Sequence, residues 1–262
     1  MRSALVAAAL VGVAAPAIGI FMVQRRLALM GDGLGHVALT GVAAGFLTGT
    51  APAFTAMIAA VLGALVIETM RERGRTSADV ALAVIFYGGI AGGVFLASLA
   101  NASDTQLFGY LFGSVLTVDK HDLIVIGVVA VGVFGVTLAL RKELFAVCYD
   151  EEVAKVSGLP VRALNMLIAV TAAVTVAVAM RVVGILLVSA LLVLPVAAVQ
   201  QLTGSFTRTY WAGIALGLSV SVGGVVLAYY ADVRPASTIV LTALLAFVVA
   251  GGIARSRSVT GG

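Results

Sequence analysis

Between Leu27 and Leu47 the chain is apolar for long enough to cross a bilayer, and within that stretch only Asp32 and His36 carry ionisable side chains. On a helix two residues four apart lie one above the other on the same face. In lipid a carboxylate and an imidazole are costly, so that face has to turn toward protein or water. The pair offers one carboxylate oxygen and one imidazole nitrogen, donor types that divalent transition metals accept. It could equally form an Asp–His hydrogen bond that locks two helices together. Spacing alone leaves both readings open.

The rest of the chain repeats the apolar pattern. Of 262 residues 61% are hydrophobic and 11% charged, and the mean hydropathy is +1.16. Soluble domains carry about 25% charged residues, so this composition implies an all-α polytopic membrane protein. Thirty glycines let helices approach closely. A lone cysteine, Cys148, excludes a disulfide within the chain and a Cys-rich metal site. The formal charge of +4 is no sign of nucleic acid here, because its meaning lies in how Arg and Lys divide across the membrane.

Taken in order, the apolar runs predict about nine transmembrane helices. Met1 to Val23 follows Arg2 like a signal peptide, but Pro16 and the Arg25-Arg26 stop make it an uncleaved first span. Leu27 to Leu47 is the second and Ala53 to Met70 the third. Asp79 to Leu99 is the fourth, with Gly88, Gly89, Gly92 and Gly93 marking a contact face. Asn101 to Val118 is too short to span and reads as a re-entrant or surface helix. The fifth span opens at Asp119 and closes at Arg141-Lys142. Val161 to Met180, Gly184 to Leu202, Thr209 to Tyr230 and Ala236 to Ala254 complete the set, and Pro195 should kink or locally open the seventh. Glu68, three residues before Arg71, reads as half of an interfacial ion pair. His121 reads as a solvated helix start, with a metal way-station as the other possibility.

The longest polar interruption runs from Glu143 to Pro160. Acidic Asp150, Glu151 and Glu152 begin a short amphipathic helix, Val153 and Val156 share a face, and Gly158 and Pro160 stop it. Its two readings are an interfacial connector and a docking element for a soluble partner. With this helix placed in the cytoplasm, twelve of the 16 Lys and Arg are cytoplasmic and four (Arg2, Lys120, Arg181, Arg234) external. The positive-inside bias then predicts an external N-terminus and a cytoplasmic C-terminus.

Four stretches, in order, resemble one family. Gly31–Gly41 (GDGLGHVALTG) resembles the G-D-A-L-S-H-A-x-L-P-G segment of the zinc/manganese/iron ABC-transporter permeases. Tyr149–Leu159 is similar to that family's cytoplasmic coupling segment, and Val183–Ala198 and Ala228–Ser237 to its late helices. Gly33, Gly35 and Thr40 replace the family's Ala, Ser and Pro. The resemblance implies a single permease domain over residues 1–262, with the metal-ion/cobalamin-importer-like architecture and a coupling helix at about 149–159. It implies a non-enzymatic, multi-pass subunit of a bacterial cell membrane importer of Zn, Mn or Fe. Asp32 and His36 would line the metal path, the cargo would bind transiently, and no cofactor would stay bound. Asp150, Glu151, Val153, Val156 and Gly158 would meet a cytoplasmic ATPase, and an extracytoplasmic metal-binding protein would deliver the metal.

Two further inferences come from the residues. Each lysine is preceded by Asp119, Arg141 or Ala154, so no Gly-Lys-Ser/Thr phosphate cradle exists and ATP hydrolysis would belong to another chain. One chain supplies two intramembrane ligands where a closed site usually has four, which predicts a homodimer. The rival functions are a proton-coupled secondary transporter using Asp32 and His36 as a relay, a structural scaffold, and an ABC importer of a metal chelate or cobalamin.

Overall fold

The computed structural model describes residues 2–72, 78–100, 104–113 and 119–260. The segments expected at Arg73, Arg75 and 114–118 lie outside these. Among the described residues there are twelve helices: α1 (Arg2–Gln24), α2 (Met30–Thr48), α3 (Pro52–Glu72), α4 (Ala78–Leu99), α5 (Asp104–Phe112), α6 (Lys120–Ala139), α7 (Arg141–Tyr149), α8 (Glu151–Val156), α9 (Val161–Val183), α10 (Ile185–Gln200), α11 (Phe206–Ala231) and α12 (Pro235–Thr260). Seven of them, α1, α3, α4, α6, α9, α11 and α12, are long and apolar enough to cross a membrane. The other two expected spans are α2 and α10. Asp32, His36 and the glycines lower the hydropathy of α2, and α10 has 16 residues.

The ends follow from local chemistry. Gly49, at φ +67°, caps α2 through its N–H to Gly45 O, and Pro52 opens α3 at the first helical position, where no donor is needed. Asp119 caps α6, its Oδ1 accepting from Asp122 N at 2.7 Å. One break was not expected. At Leu140 the chain leaves α6 and starts a separate helix, α7, so the polar interruption holds two short helices rather than one. The α9–α10 connection is a single residue, Gly184 at φ +86°. A β-carbon there would lie 2.4 Å from the carbonyl carbon of Phe112, so the turn is seated on the end of α5.

Helices α1 and α9 form the centre. The buried side of α1 is mostly alanine and glycine (Ala4, Ala7, Ala8, Gly12, Ala14, Ala15, Ala17, Gly19), which brings α6, α9, α10 and α11 close around it. Helix α2 lies between α3, α4, α9 and α10. Its contact with α3 runs through Gly41, where a β-carbon would stand 2.5 Å from Thr55 O. Its contact with α4 runs through Gly89, where a β-carbon would stand 2.7 Å from both the His36 carbonyl carbon and the Val37 nitrogen. Gly92 and Gly93 face Thr40 and Leu39 of the same helix, whereas Gly88 faces open space. The glycine run on α4 is therefore a contact face from which Gly88 drops out.

Because backbone cannot move aside as a flexible side-chain end can, Gly89→Ala should lower stability by about 1–3 kcal/mol. Gly88→Ala should stay within about 0.5 kcal/mol of the parent. Thermal unfolding of the two variants in detergent checks this, and equal effects would refute the α2–α4 assignment.

Candidate metal path and coupling segment

Residues 25–29 turn the chain from α1 into α2. Arg26 adopts φ +59°, Leu27 N donates to Met22 O at 2.8 Å and Met30 N to Leu27 O at 2.9 Å. This turn delays the start of α2 to Met30, so His36 lies six residues, about 9 Å, from that start rather than ten residues in. Asp32 falls in the first turn, where the helix dipole favours an anion.

Asp32 Oδ1 accepts a hydrogen bond from Ser189 Oγ on α10. Ser189 is buried, and α10 comes this close because Gly31 has no side chain: a β-carbon there would lie 3.1 Å from Ser189 Cβ. One turn along, the His36 ring meets Phe86 of α4 edge-on, with centroids 4.7 Å apart. His36 Nδ1 is buried and has no hydrogen-bond partner. A further turn along, Thr40 Oγ1 donates to Gly89 O at 2.8 Å. Asp32, His36 and Thr40 thus form one half-buried stripe. Asp32 is tied to Ser189, and the His36 Nδ1 is left without a partner. One carboxylate oxygen stays outside the Ser189 bond and one imidazole nitrogen is unspent, donor types that a divalent transition metal accepts. Among the described residues no group of three or more His, Cys, Asp or Glu comes together that could hold a metal ion, and at α2 one chain brings only these two side chains.

His121 sits at the other end of the bundle. With Asp122, Phe54, Met57 and Arg181 it lines a largely apolar cavity of about 340 Å³. Asp122 there is held by Arg181 at 2.8 Å, which offsets its charge.

The second cluster is at the end where α1 and α3 finish and α9 begins. Asp150 caps α8, its Oδ1 accepting from Glu152 N at 2.9 Å and Val153 N at 3.0 Å. Gly158, at φ +83°, follows the helix. Ala154 is buried while Val153 and Val156 are 61% and 90% exposed, so two valines project from a helix anchored on its opposite side. Glu151, half exposed, reaches back to the bundle: its Oε1 accepts from Arg25 Nη2 and from Asn165 Nδ2, both at 2.7 Å. Glu68 is buried and pairs with Arg71 at 2.8 Å, as its spacing predicted, and also faces Arg25 at 3.6 Å. Burial pushes the nearby Cys148 thiol up to about 12. Sequence reasoning did not single out Ser189, Arg25 or Asn165 for these sites. Only Ser189 left a signal, as the sole polar residue between Gly184 and Pro195.

The profile of the ABC 3 transport family matches residues 1–253. The chain belongs to that family. The permease is 30% identical over 257 residues to the probable iron transport system membrane protein of Haemophilus influenzae, covering 98% of its own chain and 94% of the relative. It is 32% identical over 257 residues to the manganese import system permease protein ScaB of Streptococcus gordonii, covering 98% and 92%. Among solved structures it is similar to PsaBC from Streptococcus pneumoniae in complex with Fab, with a TM-score of 0.85, 30% identity, and 95% and 90% of the two chains covered. These relationships make the chain the membrane permease of a metal-uptake ABC transporter, a transport protein of a multi-span membrane family.

Proposed function

We propose that two copies of this permease enclose a path for a divalent transition metal, Mn, Zn or Fe(II), with Asp32 and His36 of each copy as its ligands. The observation that carries this reading is the buried, unpartnered Nδ1 of His36, one helical turn from a carboxylate that a buried serine already orients. Two copies supply two carboxylates and two imidazoles, the four donors that one chain lacks. A separate cytoplasmic ATPase drives transport by docking on α8, whose exposed Val153 and Val156 are the apolar anchors. An external binding protein delivers the cation. The N-terminus is external and the C-terminus cytoplasmic, which places α8 and the Arg25, Arg71 and Arg162 end inside.

Uptake into proteoliposomes holding the permease, its ATPase and its binding protein, normalised to folded protein, tests the ligands. His36→Ala and Asp32→Asn should each lower uptake at least about tenfold while leaving the amount of folded permease unchanged. Uptake in the parent should fall as pH falls, because neutral imidazole and ionised carboxylate are the ligating forms. Near-normal rates in both variants end the reading.

Stoichiometry tests the pairing: the purified transporting complex should hold two copies of this chain. A complex with one copy that still imports metal refutes it.

Replacing Val153 and Val156 together with Asp should separate ATP hydrolysis from import without loss of membrane insertion. Unchanged uptake reduces α8 to a connector.

A further inference from the structure

The buried charges at the α8 end are not among the ligands proposed for the metal path. Glu68 is 1% exposed and the Arg25 side chain 4%. Burying a charge is costly unless partners neutralise it, so each such group needs a pairing that accounts for it. For Glu68 the near partner is Arg71, at 2.8 Å against 3.6 Å for Arg25. Arg25 makes its short contact elsewhere, at 2.7 Å to Glu151, the first residue of α8. The same Glu151 oxygen accepts from Asn165 of α9, which is 5% exposed. One chain of charges and one amide therefore joins the end of α1, α3, α8 and α9. Helix α8 is six residues long and buries one of them, Ala154, so this chain is its main polar attachment.

Arg25 also opens the turn into α2. Five residues later Met30 starts that helix, and Asp32 follows two residues on. The turn is held by the hydrogen bonds at Leu27 and Met30. Helix α8 is thus connected to the start of α2 through one side chain and one bonded turn.

We propose that Arg25 is the positioning residue through which α8 acts on the metal path: its pair with Glu151 fastens the docking helix to the turn that places Asp32. The inference rests on the reading of α8 as the ATPase-docking segment. Arg25 touches no metal, and it acts through the turn and α2.

The test uses the reconstituted complex of permease, ATPase and binding protein. Glu151→Gln keeps the length and an oxygen for Asn165 but removes the charge that holds Arg25. Metal imported per ATP hydrolysed should fall about tenfold, the scale of one lost charge-assisted hydrogen bond. Co-purification of the ATPase is measured alongside, because Glu151 lies on the docking helix: retained ATPase with a lowered ratio supports the Arg25 link, and lost ATPase assigns Glu151 to docking and overturns it. Equilibrium binding of Mn²⁺ to the permease should be unchanged. Glu151→Asp, which retains the charge, should recover part of the ratio. Arg25→Gln combined with Glu151→Gln should be no worse than Glu151→Gln alone, because both remove the same link. An unchanged import-to-hydrolysis ratio in Glu151→Gln overturns the proposal. So does a lowered melting temperature with an unchanged ratio, which makes the network purely structural. If the Val153 and Val156 double variant uncouples while Glu151→Gln does not, the docking reading stands and the Arg25 link falls. If neither uncouples, the docking reading fails as well.

Discussion

Hydrocarbon does not tolerate an unshielded carboxylate, and much of the arrangement around α2 follows from that. Asp32 and His36 hold their places because helices close on α2 from several sides at glycine positions. Gly41 admits α3, Gly31 admits Ser189 of α10, and Gly89 on α4 admits the backbone of α2 itself. Small residues replace bulky packing where polar groups must be held in fixed positions, since close backbones leave a side chain little room to swing. The result is a stripe whose polar atoms are partly committed. Asp32 is oriented by Ser189 and Thr40 is tied to Gly89, while the His36 nitrogen between them is open.

The two ends of the bundle handle charge differently. At the Arg181 end, among the described residues, one pair, Arg181–Asp122, borders an apolar cavity, and Arg234 rests over the Phe112 ring at 5.5 Å. At the α8 end the charges form a linked series: Arg71, Glu68, Arg25 and Glu151, with Arg162 and Glu72 at 3.1 Å beside it. A lone pair can break without consequence for other helices. A series with shared members makes the elements that contribute to it depend on one another.

What the sequence disclosed depended on distance along the chain. Asp32 and His36, four apart in an apolar run, were legible as a shared face, and so were Glu68 with Arg71 and Val153 with Val156. The helix starts at Asp119 and Asp150 were legible for the same local reasons. The partners of these groups were not. Glu151 and Arg25 are 126 residues apart and Ser189 and Asp32 are 157 apart, and no periodicity relates them. The break at Leu140 carries no glycine or proline, so α7 stayed hidden within the polar stretch. Gly88 and Gly89 look alike in sequence. Which one meets α2 depends on how α4 is rotated about its axis, and that is set by packing.

The one-residue turn at Gly184 has a mechanical consequence. Helix α9 is 23 residues, about 35 Å, of rigid rod, with Asn165 near one end and Gly184 just beyond the other. A long loop at that corner would absorb any tilt of the rod. With one residue there, pressed against the end of α5, the corner leaves little slack between α9 and α10. Ser189 lies five residues past the corner, so the angle at which the serine addresses Asp32 is set by how α10 leaves α9. The corner thus ties the placement of the serine to the rod behind it, which a loop of several flexible residues would not do.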